Sequence, residues 1–294
     1  MPMRILITAD LHYDIQRSRP WARRLARAVN RMQADAFVLV GDTAGADLDV
    51  MAEAMQMFAP FGGLKLLVPG NHCLWCADAE AENSLDRYFR LLPELAGECG
   101  FVLLDHCPMV LGGVGLVGSV GWYDYSFADV SLDIPIDFYK AKLTPGAASY
   151  LGGHEELLET HRHRLTPSHL SLGARWMDGV HVRLPMSDEN FVAMLAERLQ
   201  RQITELSGRT DRIVAFVHHL PFGELVPAGR PDRFAFAAAY MGAGRLGAVL
   251  LESPKVTHVY CGHSHWPDDR QIGHIRVVNV GSTYTKKRLK ILKL

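Results

Sequence analysis

Short apolar runs alternate with amphipathic stretches through the first third of the chain, and each apolar run ends at a polar residue. The runs at residues 4–9, 36–40 and 64–68 are rich in Ile, Leu and Val and predict buried strands. Between them, apolar residues recur at helical spacing from about Pro20 and over residues 48–58. This alternation predicts a layered α/β fold with parallel strands and right-handed crossovers.

Shorter apolar runs separated by glycine and proline follow a predicted helix over about residues 78–92. They lie at residues 101–104, 109–111 and 114–120 and are typical of antiparallel hairpins. Residues 121–185 then lose regular periodicity and contain aromatic residues, prolines and histidines. We interpret residues 121–185 as an insertion with two short helices and call them the cap segment.

Regular patterning returns after the cap segment. Ser187 is a predicted N-cap for a helix that runs through Leu206, and a second helix is predicted around residues 247–251. Further strands are predicted at residues 213–217, 256–261 and 276–280. Since no stretch is long enough to link independent domains, we expect one domain over residues 1–294, with 121–185 as its cap.

The amino-acid composition and net charge of the chain disfavour some classes of function. The 294 residues are 48% hydrophobic, which is ample for a large core, and the formal charge of −1 gives no overall attraction to nucleic acid or acidic lipid. We interpret the lysine-rich residues 286–293 as protection of an edge strand. The first apolar run stops at Asp10, so we expect neither a secretory signal nor a membrane span. Five cysteines fit free thiols, and we expect a cytoplasmic protein.

Polar side chains with metal-binding chemistry follow five of the predicted strands. These residues are Asp10 and His12, Asp42, Asn71 and His72, His218 and His219, and His263 and His265. Because parallel strands bring their carboxyl ends to one edge of a sheet, we expect these side chains to lie close together. Independent helix caps and turns would not supply two carboxylates, an amide and several imidazoles at one edge.

These motifs and their order resemble those of the calcineurin-like metallophosphoesterases. The family pattern is Asp-x-His, Gly-Asp, Gly-Asn-His, a later His and Gly-His-x-His. The chain meets it at residues 10–12, 41–42, 70–72, 218 and 262–265. The resemblance implies a four-layer αββα sandwich of two mixed sheets flanked by helices.

Two divalent cations about 3.5–4 Å apart can share a carboxylate and a water, lower the pKa of that water and bind a phosphoryl group for in-line attack. We choose Asp42 as the bridging ligand. The resemblance implies that Asp10, His12 and His265 complete one metal site and that Asn71, His218 and His263 complete the other. This mixture of ligands suits manganese, iron, cobalt or zinc and does not distinguish among them.

Two histidines beside the predicted ligands have open assignments. His72 is left over from coordination and is a candidate catalytic residue, which would stabilise charge on the phosphoryl group or protonate the leaving alkoxide. His218 and His219 are adjacent, and neighbouring side chains on a strand point to opposite faces, so only one should reach the metals. The order usual in the family favours His218, and His219 is left as a candidate substrate contact.

Aromatic residues near the strand ends are further candidates for contact with the substrate. Trp122, Tyr123 and Tyr125 begin the cap segment and could stack on a base or ring, although core packing is an equal alternative. Phe222 follows the His218 motif and could line the same opening, together with Arg230 and Arg233.

The sequence therefore predicts a metal-dependent phosphoesterase that hydrolyses a phosphate mono- or diester of a small soluble substrate through a metal-bridging hydroxide. Its cofactors would be two divalent metal ions, with manganese, iron and zinc as the main candidates. Nucleic acid is a disfavoured partner because the chain is nearly neutral. The alternatives are a nuclease of the same superfamily and a catalytically silent scaffold on the same fold. The sequence leaves the substrate, the metals and the oligomeric state open.

Overall fold

A computed structural model describes residues 3–77, 83–229 and 231–294 of the chain. Within these residues the strands form two sheets. The first sheet contains β1 (Arg4–Ala9), β2 (Ala36–Val40), β3 (Leu64–Val68), β4 (Val102–Leu103) and β11 (Lys290–Lys293). The second contains β5 (Met109–Leu111), β6 (Val114–Ser119), β7 (Arg212–Val217), β8 (Val256–Cys261), β9 (Asp268–Ile272) and β10 (Ile275–Asn279).

The first sheet has the order β11-β1-β2-β3-β4, and the second has the order β5-β6-β7-β8-β10-β9. Neighbouring strands are parallel except where β11, β5 and β9 pair antiparallel with β1, β6 and β10. Both sheets are therefore mixed, and the antiparallel strands lie at their edges. The lysine-rich tail forms edge strand β11, as the sequence predicts.

Helices cover the outer faces of the sheets. Outside the cap segment they are α1 (Arg19–Val29), α2 (Leu48–Gln56), α3 (Ser84–Asp86, a π-helical turn at Arg87–Leu91, and Leu92–Glu98), α9 (Asp188–Ser207), α10 (Asp232–Ala237) and α11 (Gly244–Glu252). Ser187 caps α9 by accepting a hydrogen bond from the backbone N–H of Asn190 at 3.2 Å. Among the described residues, no helix is both long and apolar enough to span a membrane.

The two sheets pack face to face. Ile7 and Val38 of the first sheet share a buried layer with Phe216 and Tyr260 of the second. On the opposite face of the first sheet, Phe37 belongs to a separate cluster that includes helix residues. Because both faces of β1 and β2 are buried, the sequences of these strands are almost entirely apolar. The four-layer αββα sandwich is thus confirmed.

The structure corrects several local predictions. The run at 101–104 forms β4, which pairs in parallel with β3 and is not part of a hairpin. The reason is that α3 forms a crossover between these two strands. The cap segment, every residue of which is described, holds a 3-10 turn at Val130–Leu132 and five short α-helices in place of two helices: α4 (Ile136–Lys140), α5 (Pro145–Leu151), α6 (Glu155–His161), α7 (Pro167–Ser171) and α8 (Asp178–His181). Residues 78–82 of the helix predicted at 78–92 lie outside the described residues.

Candidate metal centre

Loops at the carboxyl ends of the parallel strands bring the predicted metal ligands together. Three overlapping groups have ligand atoms within 4.8 Å of one another: Asp10, His12 and His265; His12, Asp42 and His72; and Asp42, His218 and His263. Asn71 follows β3 at the same edge, beside Gly70. An added Cβ on Gly70 would lie 2.2 Å from Asp42 Oδ1 and 2.7 Å from His218 Nε2, so glycine permits this close approach. We call the seven predicted ligands the ligand cluster.

Asp42 occupies the middle of the ligand cluster. Its Oδ2 atom lies 3.5 Å from His12 Nε2 and 3.4 Å from His218 Nε2. On one side, His12 Nε2 is 3.0 Å from His265 Nε2, which is 3.7 Å from Asp10 Oδ1. The other side holds His218, whose ring centroid is 5.1 Å from that of His263. One carboxylate thus faces histidines from both predicted metal sites.

Five members of the ligand cluster have left-handed backbone conformations. Their φ values are 56° at Asp10, 43° at His12, 45° at Asp42, 68° at His263 and 57° at His265. Such conformations cost about 1–3 kcal/mol each for residues with a Cβ, and they persist only where the surroundings enforce them. Strain of this kind is concentrated at functional sites in proteins, and it turns these side chains towards one another.

Buried atoms without partners face the interior of the cluster. Asp10 Oδ2, Asn71 Oδ1 and His218 Nε2 have no hydrogen-bond partner among the described residues. His218 Nδ1 and His263 Nε2 lie 3.2 Å and 3.1 Å from the carbonyl oxygens of Val40 and Tyr240. Since a carbonyl can only accept, these nitrogens donate. The other nitrogen of His263 is left with a lone pair, and that of His218 offers one once its proton is released. The donor set therefore fits divalent cations.

Burial and neighbouring charges shift the pKa values of the carboxylates and imidazoles in the ligand cluster. Burial raises the pKa of Asp10 to about 7. Burial would also raise the pKa of Asp42, but the imidazoles of His218 and His72 hold it well below its usual range. Despite burial, Asp42 raises the pKa of His218 to about 9. Burial lowers the pKa of His12 and His263 well below the usual value, so both are neutral imidazoles, the form that binds metals.

His72 begins a short 3-10 turn directly after Asn71. Its ring stacks on Trp75, with a centroid distance of 3.7 Å, and meets His12 edge to face at 4.6 Å. Its backbone N–H donates to Asp42 Oδ1 at 3.0 Å. His72 therefore lies beside His12 and Asp42, with a ring nitrogen within 4.8 Å of ligand atoms of both.

The residues predicted to contact the substrate are buried in the protein interior next to the ligand cluster. His219 is fully buried, with Nδ1 2.9 Å from the Val120 carbonyl oxygen and its ring 4.2 Å from that of His263. Trp122, Tyr123, Tyr125 and Phe222 are also buried. The Trp122 indole and the Tyr125 hydroxyl donate to Asp188, and the Tyr123 hydroxyl donates to Asp178. A substrate role for this group stays a prediction.

A cavity of about 710 Å³ opens beside His263 and His265. Aromatic residues Trp176, Phe234, Trp266 and Tyr284 line it together with Arg175 and Arg233. None of the described residues that line it is acidic. Arg230, which the sequence suggested for this opening, lies outside the described residues.

Sequence reasoning missed supporting residues that are distant along the chain. Lys287 donates from Nζ to the backbone carbonyl of Asp10 at 2.6 Å. Tyr284 meets the rings of His12 and His265 at centroid distances of 5.0 and 5.1 Å. Asp178 accepts from the Asn71 amide at 2.9 Å. Local patterns gave no signal for these contacts, because each depends on a loop meeting the cluster through the tertiary fold.

Comparison with known proteins gives a family and a fold. The sequence model of the calcineurin-like phosphoesterase family matches residues 3–267. The structure is similar to that of a phosphopantetheinyl hydrolase from Mycobacterium tuberculosis, with 17% identity, a TM-score of 0.62 and coverage of 98% of this chain and 96% of that one. It is also similar to a dimetal phosphatase from Danio rerio, with 13% identity, a TM-score of 0.55 and coverage of 100% and 93%. No curated protein sequence matches the chain. With a family match over most of its length, the chain belongs to the calcineurin-like phosphoesterases.

Proposed function

We propose that this protein is a phosphohydrolase that uses two divalent cations to cleave a phosphate mono- or diester of a small soluble substrate. The observation that carries the proposal is the convergence of carboxylate, amide and imidazole atoms, several of them buried and without partners, around Asp42. Asp10, His12 and His265 would hold one cation, and Asn71, His218 and His263 the other. Asp42 would contact both.

The bound cations would supply a water of lowered pKa as nucleophile and would neutralise charge on the phosphoryl oxygens. The chain's own contribution to proton transfer is His72, which we propose donates a proton to the leaving alkoxide. Trp75 supports this role because its indole stacks on the His72 ring and limits its rotation.

The cavity provides room for the esterified group. Its volume of about 710 Å³ falls in the range of small-molecule sites. Aromatic walls suit an apolar or planar group, and Arg175 and Arg233 suit a second anionic group on the substrate. Because a similar structure is that of a phosphopantetheinyl hydrolase, phosphopantetheinyl esters belong among the compounds to test.

The experiment begins with protein freed of metal by a chelator and reconstituted with manganese, iron, cobalt or zinc. We expect manganese-loaded protein to hydrolyse p-nitrophenyl phosphate or bis(p-nitrophenyl) phosphate. Asp42→Asn should lose both metal and activity, while Asp211→Asn, at an exposed position, should retain them. Inertness with every metal and both esters would favour the scaffold alternative. Preferred cleavage of DNA or RNA at physiological salt would favour the nuclease.

A further inference from the structure

Asp178, the first residue of α8 in the cap segment, accepts hydrogen bonds from four side chains. Its Oδ1 atom accepts from Asn71 Nδ2 at 2.9 Å and from Trp75 Nε1 at 2.7 Å. Its Oδ2 atom accepts from the Tyr123 hydroxyl at 3.0 Å and from Trp176 Nε1 at 2.7 Å. The side chain is 1% exposed. Two donors on each oxygen use the full accepting capacity of a carboxylate.

The contact with Asn71 decides which atom of the amide faces the ligand cluster. An amide has nearly the same shape when rotated by half a turn, but only its oxygen can bind a cation. An ionised carboxylate can only accept, so the Asn71 nitrogen must face Asp178. The Asn71 oxygen then points away from Asp178, and it is the buried atom that has no partner among the described residues.

The tryptophan contacts extend this control to the rest of the site. Trp75 stacks on His72 at 3.7 Å and, on the other side, on His181 at 4.5 Å. Trp176 lines the cavity, stacks on Tyr240 at 5.0 Å and meets the edge of His263 at 5.8 Å. A single carboxylate therefore restrains the stacking partner of His72 and one wall of the cavity.

We propose that Asp178 is a positioning residue that orients the Asn71 amide oxygen towards the metal site and couples the cap segment to that site. The proposal rests on the proposed two-metal function. It gives the cap segment a role in metal binding, since α8 supplies the carboxylate that positions one ligand of a predicted cation site. Partners of this kind typically change metal affinity 10–100-fold when they are removed.

The test compares Asp178→Ala with Asp188→Ala by titrating metal-free protein with manganese. Alanine is used because an asparagine would keep an oxygen that can accept from the Asn71 amide. Asp188 is a control because it is also buried and accepts from the Trp122 indole at 2.7 Å, yet it has no described contact with the ligand cluster. We expect Asp178→Ala to bind the second manganese ion at least tenfold more weakly, and Asp188→Ala to bind both ions as the wild type does. Equal affinities in all three proteins would overturn the proposal, whereas a wild type that binds no metal would overturn the proposed function instead.

A double-mutant cycle distinguishes loss of the Asn71 amide orientation from a general disruption of the structure around the site. An aspartate at position 71 presents an oxygen in either orientation, so Asp178→Ala should no longer weaken metal binding in an Asn71→Asp background. An equal loss in both backgrounds would contradict the proposal.

Nuclear magnetic resonance tests the same point without a variant, should Asp178→Ala fail to fold. In metal-free wild-type protein, the Asn71 side-chain NH2 protons should show a nuclear Overhauser effect to the Trp75 indole proton, because both groups donate to Asp178 Oδ1. Its absence, with both resonances assigned, would refute the orientation.

Discussion

Gly41, directly before Asp42, is the position at which one methyl group should most disturb the ligand cluster. Its φ is +79°, a conformation that glycine adopts without a Cβ penalty. A Cβ added there would lie 1.8 Å from His218 Nδ1 and 2.2 Å from His218 Cγ. Gly41→Ala must therefore displace a fully buried ring that we propose as a metal ligand.

The expected cost has two parts that a matched variant can separate. Left-handed backbone costs about 1–2 kcal/mol for alanine, and crowding of a packed interior adds about 1–3 kcal/mol. Loss of the hydrogen bond from His218 Nδ1 to Val40 adds about 1 kcal/mol. Gly113, between β5 and β6, has φ +82° and no atom within 4 Å of an added Cβ, so Gly113→Ala isolates the backbone cost.

The assay is thermal unfolding with a chelator present, followed by manganese titration. Gly41→Ala should be less stable than Gly113→Ala by about 2–4 kcal/mol, which corresponds to roughly 3–6 °C in Tm for a chain of this length. It should also lose the cation that we propose His218 binds, while Gly113→Ala should bind both cations. If the two variants unfold at the same temperature and bind manganese equally, His218 does not pack over Gly41 and the assignment of this ligand is wrong.

Three further predictions concern protonation and proton transfer. His72→Ala should lower kcat about 10²–10⁴-fold at unchanged metal content, whereas loss of metal would show that His72 is a ligand. Manganese binding near pH 7 should release about one proton from His218, because Asp42 raises the pKa of His218 to about 9 despite burial and a ligand must be deprotonated. Asp10, whose pKa burial raises to about 7, should add to this release. Calorimetry in two buffers measures the total, and His218→Ala should lower it by about one proton. Burial raises the pKa of Asp105 to about 7, so its contribution to stability is complete below about pH 4 and is lost as the pH rises through 7. Denaturant unfolding of Asp105→Asn should lack this loss, and pH profiles of unfolding free energy that run parallel would contradict it.

The buried parallel strands and the residue types at their ends were predictable from sequence. β2 is an uninterrupted apolar run because both of its faces are covered, and β1, β3 and β7 are apolar apart from one or two residues each. Asp10 follows β1 directly, Asp42 follows β2 after Gly41, and Asn71 follows β3 after Pro69 and Gly70. Sheet topology then determines that these ends meet.

Strands and helices that are too short to show a repeating pattern of apolar residues could not be predicted from the sequence. β4 has two residues, and the cap helices have four to seven, which is at most about two helical turns. The aromatic residues after β6 illustrate a second limit. From the sequence alone, Trp122 and Tyr125 could be exposed residues that stack on a substrate. In the structure both are buried and donate to Asp188, which lies more than sixty positions later in the chain.

The strained backbone of the ligand cluster was invisible in the sequence, and its restraints connect the two predicted cation sites. Asp10 Oδ1 accepts from the backbone N–H of His263 at 2.9 Å, although the two residues would bind different cations. Asp10 Oδ2 has no hydrogen-bond partner among the described residues and would be free to bind a cation. Asp10→Asn keeps an oxygen for the His263 N–H and loses only the anionic ligand, so we expect it to bind one manganese ion. Asp10→Ala also releases the left-handed turn at His263 and should bind none. Mass spectrometry measures the metal content of the two variants and so tests whether Asp10 positions His263. Equal metal content in both variants would mean that the loop after β8 holds His263 in place without Asp10.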